Sequence, residues 1–217
     1  MPPQRELPPA FFDRQDESDD AHFYSMPRLV VHIDAATIAA LTQVYRELLP
    51  PRGAILDLMS SWVSHLPEEA EFTRVAGLGM NALELARNPR LTDHGVQDLN
   101  QRPELSYDTA SFDAVVNAVS IQYLTHPVEV LRSCARVLRP GGLHIVALSH
   151  RCFPTKAIRA WHELSARQRL ELVQMYFNDA GGYEASVVLD RSPPGADPLW
   201  IVMARRAALP FRDARKI

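Results

Sequence analysis

Cysteine is scarce: Cys134 and Cys152 are too few for a disulfide framework and lack the paired spacing of a structural zinc site. A reducing, cytoplasmic setting is the expectation. No apolar run approaches the roughly 20 residues that cross a bilayer. The opening Met1-Pro2-Pro3-Gln4-Arg5-Glu6 does not have the basic-then-apolar order of a secretory signal, so no membrane partner is expected. Positive charge is short as well. Lys and Arg number 23 against 26 Asp and Glu, a net charge of −3, which supplies no cationic field for nucleic acid or anionic lipid. Glycine is sparse, nine residues in 217, and no Gly-x-Gly-x-x-Gly turn follows the first apolar strand. A nicotinamide cofactor would therefore find its pyrophosphate without a cradle.

What is present suits one core with an extension, since 47 % of the 217 residues are apolar. Residues 1–22 are acidic and proline-containing, a composition that buries little and is expected to stay mobile until something packs on it. Residues 23–52 read as an entry segment beginning at Phe23 and Tyr24, followed by a helix. Its Ile38, Leu41, Tyr45 and Leu48 share one face, and Pro50-Pro51 ends it. Residues 53–206 read as the main domain and 207–217 as a tail.

Within that domain apolar runs at 54–58, 74–78, 96–97, 112–119 and 143–148 predict strands, with helices at 81–87 and 127–138 between them. Beyond Pro154 two more helices are expected, the second opened by the capping box Ser165-x-x-Gln168, with Leu170, Val173 and Phe177 inward. Strands at 185–189 and 199–204 are joined by too few residues for a crossover, so they should pair antiparallel.

The run Arg136-Val137-Leu138-Arg139-Pro140-Gly141-Gly142-Leu143-His144-Ile145-Val146-Ala147, with Ser111-Phe112-Asp113-Ala114-Val115-Val116 upstream, resembles the back half of class I S-adenosylmethionine-dependent methyltransferases. The likeness is to the type 11 group, in which Leu-x-Pro-Gly-Gly precedes the fifth strand, and it spans about residues 53–150. It implies an α/β, Rossmann-like methyltransferase fold: a mostly parallel seven-stranded sheet, an antiparallel last strand, helices on both faces. It also implies S-adenosyl-L-methionine as cofactor.

In such a sheet the ligand crevice lies beyond the carboxyl ends of the strands. By the resemblance, Asp57 is the acid of the first cofactor motif, but Ser60, Ser61 and Trp62 stand where its glycines belong; capping of the next turn is the alternative role. In Gly77-Leu78-Gly79 the last residue occupies the place of the acid that grips the ribose. Met80 and Asn81 follow, and Asn81 would either reach the ribose or cap a helix with Glu84. Asp98 stands where the adenine amino group is met, Leu99 behind the ring, with Asn100 beside it; a plain turn aspartate is the competitor. Ser120 follows the fourth strand. Arg28 would pair with the methionyl carboxylate and Tyr24 approach the sulfonium, or the two belong to a hydrophobic entry strap. His150 is the candidate base, with His65 and His32 behind it, and Trp62, Tyr123 and Arg151 would face the acceptor. His150 and Cys152 give only two ligands, so no metal is expected.

The sequence thus points to an S-adenosylmethionine-dependent methyltransferase acting on a small molecule by in-line displacement, as monomer or homodimer. Its rival is a non-catalytic binding or regulatory protein of the same fold.

Overall fold

Ile55 and Leu56 of the first strand are both fully buried yet belong to opposite cores, and this two-sided burial sets the architecture. In the computed structural model residues 8–208 are described. They build a seven-stranded sheet in the order β3-β2-β1-β4-β5-β7-β6. The strands are β1 (Ala54–Leu58), β2 (Arg74–Gly79), β3 (Asp93–Val96), β4 (Phe112–Ala118), β5 (Leu138–Leu148), β6 (Val187–Asp190) and β7 (Trp200–Arg205). β7 runs antiparallel to both β5 and β6, and all other neighbours pair parallel. The mostly parallel sheet with an antiparallel last strand is therefore found.

One face packs Ile55, Val75, Ala114, Val116, Ile145 and Ile201 against Leu41, Val44 and Tyr45 of α2 (Ala35–Leu48). Asp34 caps that helix by accepting from the Thr37 amide. The other face packs Leu56, Ala76, Val115, Val146 and Val202 against α4 (Pro127–Val137) and α6 (Ala166–Ala180). Pro127 at the first turn starts α4, and the Ser165–Gln168 capping box starts α6. Each buried leucine or valine contributes roughly 1.5–3 kcal/mol. Shorter helices are α1 (Asp20–Phe23), α3 (Ala82–Ala86) and α5 (Arg159–Glu163).

Three expectations are corrected. β5 begins at Leu138, five residues early: Phe112 pairs with Leu138 and Ala114 with Leu143, so the Pro-Gly-Gly segment is a bulge inside the strand. Gly141 makes that possible with φ 77°. β3 lies at Asp93–Val96, ahead of 96–97, because a half-exposed edge strand carries no apolar run to betray it. The third concerns residues 8–22, which are packed. Phe11 and Phe12 lie against the core, and Arg14 bridges to Ile158. Buried Lys156 holds Asp16 at 3.2 Å and Asp20 at 3.1 Å. Residues 1–7 of that segment, and 209–217 of the expected tail, lie outside the described residues.

Candidate functional site

The carboxyl ends of β1, β2 and β4 open into a cleft roofed by the strap before α2. The space between its walls, open mouth included, is about 1140 Å³. Its floor begins with Asp57, 3 % exposed, at the centre of an unusual loop. The hydroxyls of Ser60 and Ser64 donate to the same carboxylate oxygen at 2.5 and 2.7 Å. Asn88 Nδ2 donates to Ser64 Oγ at 2.8 Å and to the Ser61 carbonyl at 3.0 Å. The loop is thus wound around Asp57, whose hydrogen bonds are internal, as a turn-organising acid's should be. Burial pushes Asp57 up to about 6 although both serines pull it down.

No helix follows β1: residues 59–73 cross to β2 as irregular chain. Met59 takes the glycine-like backbone with φ 57°, so the left-handed turn sits one residue before the serines and tryptophan expected to replace it. Ser60 N donates to Leu78 O at 2.8 Å, which lays the loop over the end of β2. A Cβ on Gly79 would collide with the Ser60 carbonyl oxygen and press on Leu85. Gly79 is therefore a consequence of this loop.

Asn81 caps α3 through Oδ1, at 2.9 Å from Leu83 N and 3.1 Å from Glu84 N. Its Nδ2 donates to the carbonyls of Tyr24 (2.8 Å) and Ser25 (3.2 Å). Both ends of the amide are engaged, and the cap, the alternative role, is made. Asp98 Oδ1 accepts from Asn100 N at 2.8 Å and Gln101 N at 3.3 Å, a turn role, while the side chain still lines the cleft beside Leu99. Asn100 is a strut: Nδ2 donates to Asp20 (2.9 Å) and Tyr123 O (3.0 Å), and Oδ1 accepts from Thr125 N at 2.8 Å.

The roof is aromatic. Phe153 stands 5.5 Å from Phe23, 6.5 Å from Tyr24, 5.8 Å from Tyr123 and 5.0 Å from His32. The Arg28 guanidinium lies 4.3 Å from the Phe23 ring centroid, a cation–π geometry. Its one recorded hydrogen bond is a long 3.5 Å contact to Met26 O, and no carboxylate pairs with it among the described residues. Burial raises the Tyr24 hydroxyl far above its ordinary range, so it remains a neutral donor. Tyr123 is pushed up to about 12 by burial, and its oxygen accepts from Phe153 N at 2.8 Å. Ser120 Oγ is buried in the cleft with no hydrogen-bond partner among the described residues.

Tyr24, Arg28, Asp57, Ser60, Ser61, Gly79, Met80, Asn81, Asp98, Leu99, Asn100, Ser120 and Tyr123 are brought together. Four expected residues are not. Gly77 lies within β2, where a side chain would meet Leu91. Trp62 turns outward and donates Nε1 to Val30 O at 2.9 Å. His150 and Arg151 both face Asp197, at 3.3 and 3.1 Å, in a latch that also holds the α2 cap Asp34. The imidazoles that line the cleft are His32 and His65. Burial lowers both, His65 to about 4, so both are neutral at pH 7. Val30, Val31, Met59, Glu84, Gln97 and Phe153 also line it. Only their place next to the strand ends or in the strap could have signalled them. Among the described residues no helix is long and apolar enough to cross a membrane, and no three His, Cys, Asp or Glu side chains are grouped to hold a metal.

Strand order, the antiparallel β7 and a cleft at the strand ends define a class I methyltransferase fold. A family model described as a methyltransferase domain matches residues 62–146, starting within the serine loop. The resemblance in the sequence is borne out, and S-adenosylmethionine is the cofactor of that family. Solved structures agree on the fold. An S-adenosylmethionine-dependent methyltransferase from Mesorhizobium loti is 18% identical with a TM-score of 0.54, covering 77% of this chain and 98% of its own. Phosphoethanolamine N-methyltransferase 2 of Haemonchus contortus, solved with S-adenosyl-L-methionine, is 15% identical with a TM-score of 0.57, covering 78% and 52%. The [4+2]-cyclase SpnF is 17% identical with a TM-score of 0.58, covering 78% and 81%. No curated protein matches the chain.

Proposed function

We propose that this protein transfers a methyl group from S-adenosylmethionine to a small-molecule acceptor by in-line displacement. The observation that carries this reading is a single cleft at the carboxyl ends of β1, β2 and β4, holding an unpaired cation in its roof and a partnerless buried hydroxyl in its wall. Those residues fit the cofactor. Arg28 would answer its carboxylate, Met80 and Leu99 would hold the base, Asp98 would meet the adenine amino group, and Ser120 Oγ would gain a partner. When bound, the cofactor supplies an electrophilic methyl group; the chain supplies position and dryness. Tyr24 and Phe153 shield the cleft from water. His32, neutral and with no hydrogen-bond partner among the described residues, takes the proton of an acceptor N–H or O–H, the role first read onto His150. A strap from the same chain roofs the cleft, and the net charge of −3 supplies no cationic surface for a polyanion, which supports a metabolite-sized acceptor.

A second reading, binding without turnover, is favoured by Gly79 in the place of the ribose acid and by the glycine-free loop after β1. Titration calorimetry with S-adenosylmethionine, S-adenosylhomocysteine and NAD tests both. Submillimolar binding of the first two alone is expected, and silence toward all three overturns the assignment. Labelled methyl transfer onto a metabolite extract then separates enzyme from binding protein.

A further inference from the structure

The ribose of a nucleoside cofactor presents two adjacent hydroxyls, and an ionised carboxylate, with about four lone-pair sites, is the side chain best able to accept from both. The end of β2 has no room for one, because any side chain at Gly79 would strike the Ser60 carbonyl. A different carboxylate lies in the same cleft. Glu84, in the first turn of α3, does not reach back to cap its own helix. Its side chain enters the cleft, where Oε1 accepts from Arg28 N at 2.6 Å and Oε2 from Ser61 Oγ at 2.9 Å. Each oxygen carries one recorded hydrogen bond and keeps acceptor capacity. No Lys, Arg or His forms an ion pair with Glu84 among the described residues.

We infer that Glu84 is the carboxylate that holds the ribose diol, moved five residues along the chain because the serine loop covers the usual place. This rests on reading the cleft as the S-adenosylmethionine site. It also gives the position a second consequence. Glu84 ties the strap at Arg28 to the loop at Ser61, so the residue that holds the diol also holds the roof in place.

The test is a titration series with S-adenosylhomocysteine and its 2′,3′-dideoxy analogue on wild type and Glu84→Gln, with no turnover required. Wild type should prefer the diol ligand by about 10- to 100-fold, the value of a charge-assisted hydrogen-bonding group. In Glu84→Gln the diol ligand should weaken about tenfold or more while the dideoxy ligand changes little, so the ratio collapses. Equal weakening of both ligands would mean that Glu84 only braces the strap, and would overturn the inference. Should the glutamine variant fail to fold, Glu84→Asp, which withdraws the carboxylate by one methylene, must reduce the same ratio. If wild type binds neither ligand, the failure lies with the cofactor reading itself, and the inference falls with it.

Discussion

Asp57→Asn should stabilise the protein at neutral pH and not at low pH. The wild-type carboxyl is 3 % exposed, and burial raises it from 3.8 to about 6 against the pull of the Ser60 and Ser64 hydroxyls. The folded chain therefore binds this proton more tightly than the unfolded chain. Below pH 3.8 the group is protonated in both states and costs nothing. As pH climbs toward 6 the unfolded chain ionises first, and stability is lost until the folded carboxyl also ionises. At 1.36 kcal/mol per pKa unit the full loss is about 3 kcal/mol. Asparagine carries no charge, and its carbonyl oxygen can still accept from Ser60 and Ser64. Urea unfolding of both proteins from pH 4 to 7.5 isolates the effect, because other carboxylates cancel in the difference. The variant should gain roughly 2–3 kcal/mol on wild type between the two ends, since at pH 4 the unfolded carboxyl is already partly ionised. A difference that stays flat with pH, or one that grows in favour of wild type, would refute the burial argument.

Restoring an acid after β2 should fail: Gly79→Asp forces a side chain into the Ser60 carbonyl and costs roughly 1–3 kcal/mol of overpacking. Thermal unfolding reads that loss, and a variant as stable as wild type with tighter S-adenosylhomocysteine binding would contradict it. Lys156→Met removes the cation buried between Asp16 and Asp20, leaving Asp20 to Arg14 and Asn100. A loss of about 3 kcal/mol is expected, with faster proteolysis between residues 8 and 22; an unchanged cleavage rate would show the strap is held by its aromatics alone. His150→Ala should leave methyl transfer unchanged and alter stability by under about 1 kcal/mol, since the ring is half-exposed and faces Asp197 away from the cleft. A large fall in kcat would restore it as the base.

Strands buried on both faces announce themselves as continuous apolar runs, which is why β1 is read to the residue and β2 and β4 to within one. Helix ends are legible for a similar reason, since Asp34, Pro127 and the Ser165–Gln168 pair are chemical signals of chain reversal. The segment 8–22 carries no sequence signal of its order, because its composition is that of a disordered segment. Its order comes from outside it, from Lys156 and Asn100, more than 75 residues away in the chain. No local window contains both halves of such a network.

The cleft divides along the same line. Residues whose backbone position alone brings them to a strand end, such as Met80, Leu99 and Ser120, are found by counting from the strands. Residues whose role depends on where a side chain is sent are not. His150 sits at the right strand end but is captured by Asp197, while His32 arrives from the strap and is set in place against Phe153. Gly79 carries the point furthest. In the sequence it reads as a lost acid and so as a weakened site. In the fold the loss is steric and follows from serines at 60 and 64 that wind the preceding loop around Asp57 and onto β2. The cleft nonetheless carries a carboxylate. This chain holds Glu84 there, fastened to the serine loop on one side and to the strap on the other. The two departures from the family pattern are therefore one change, made by the loop and answered by α3.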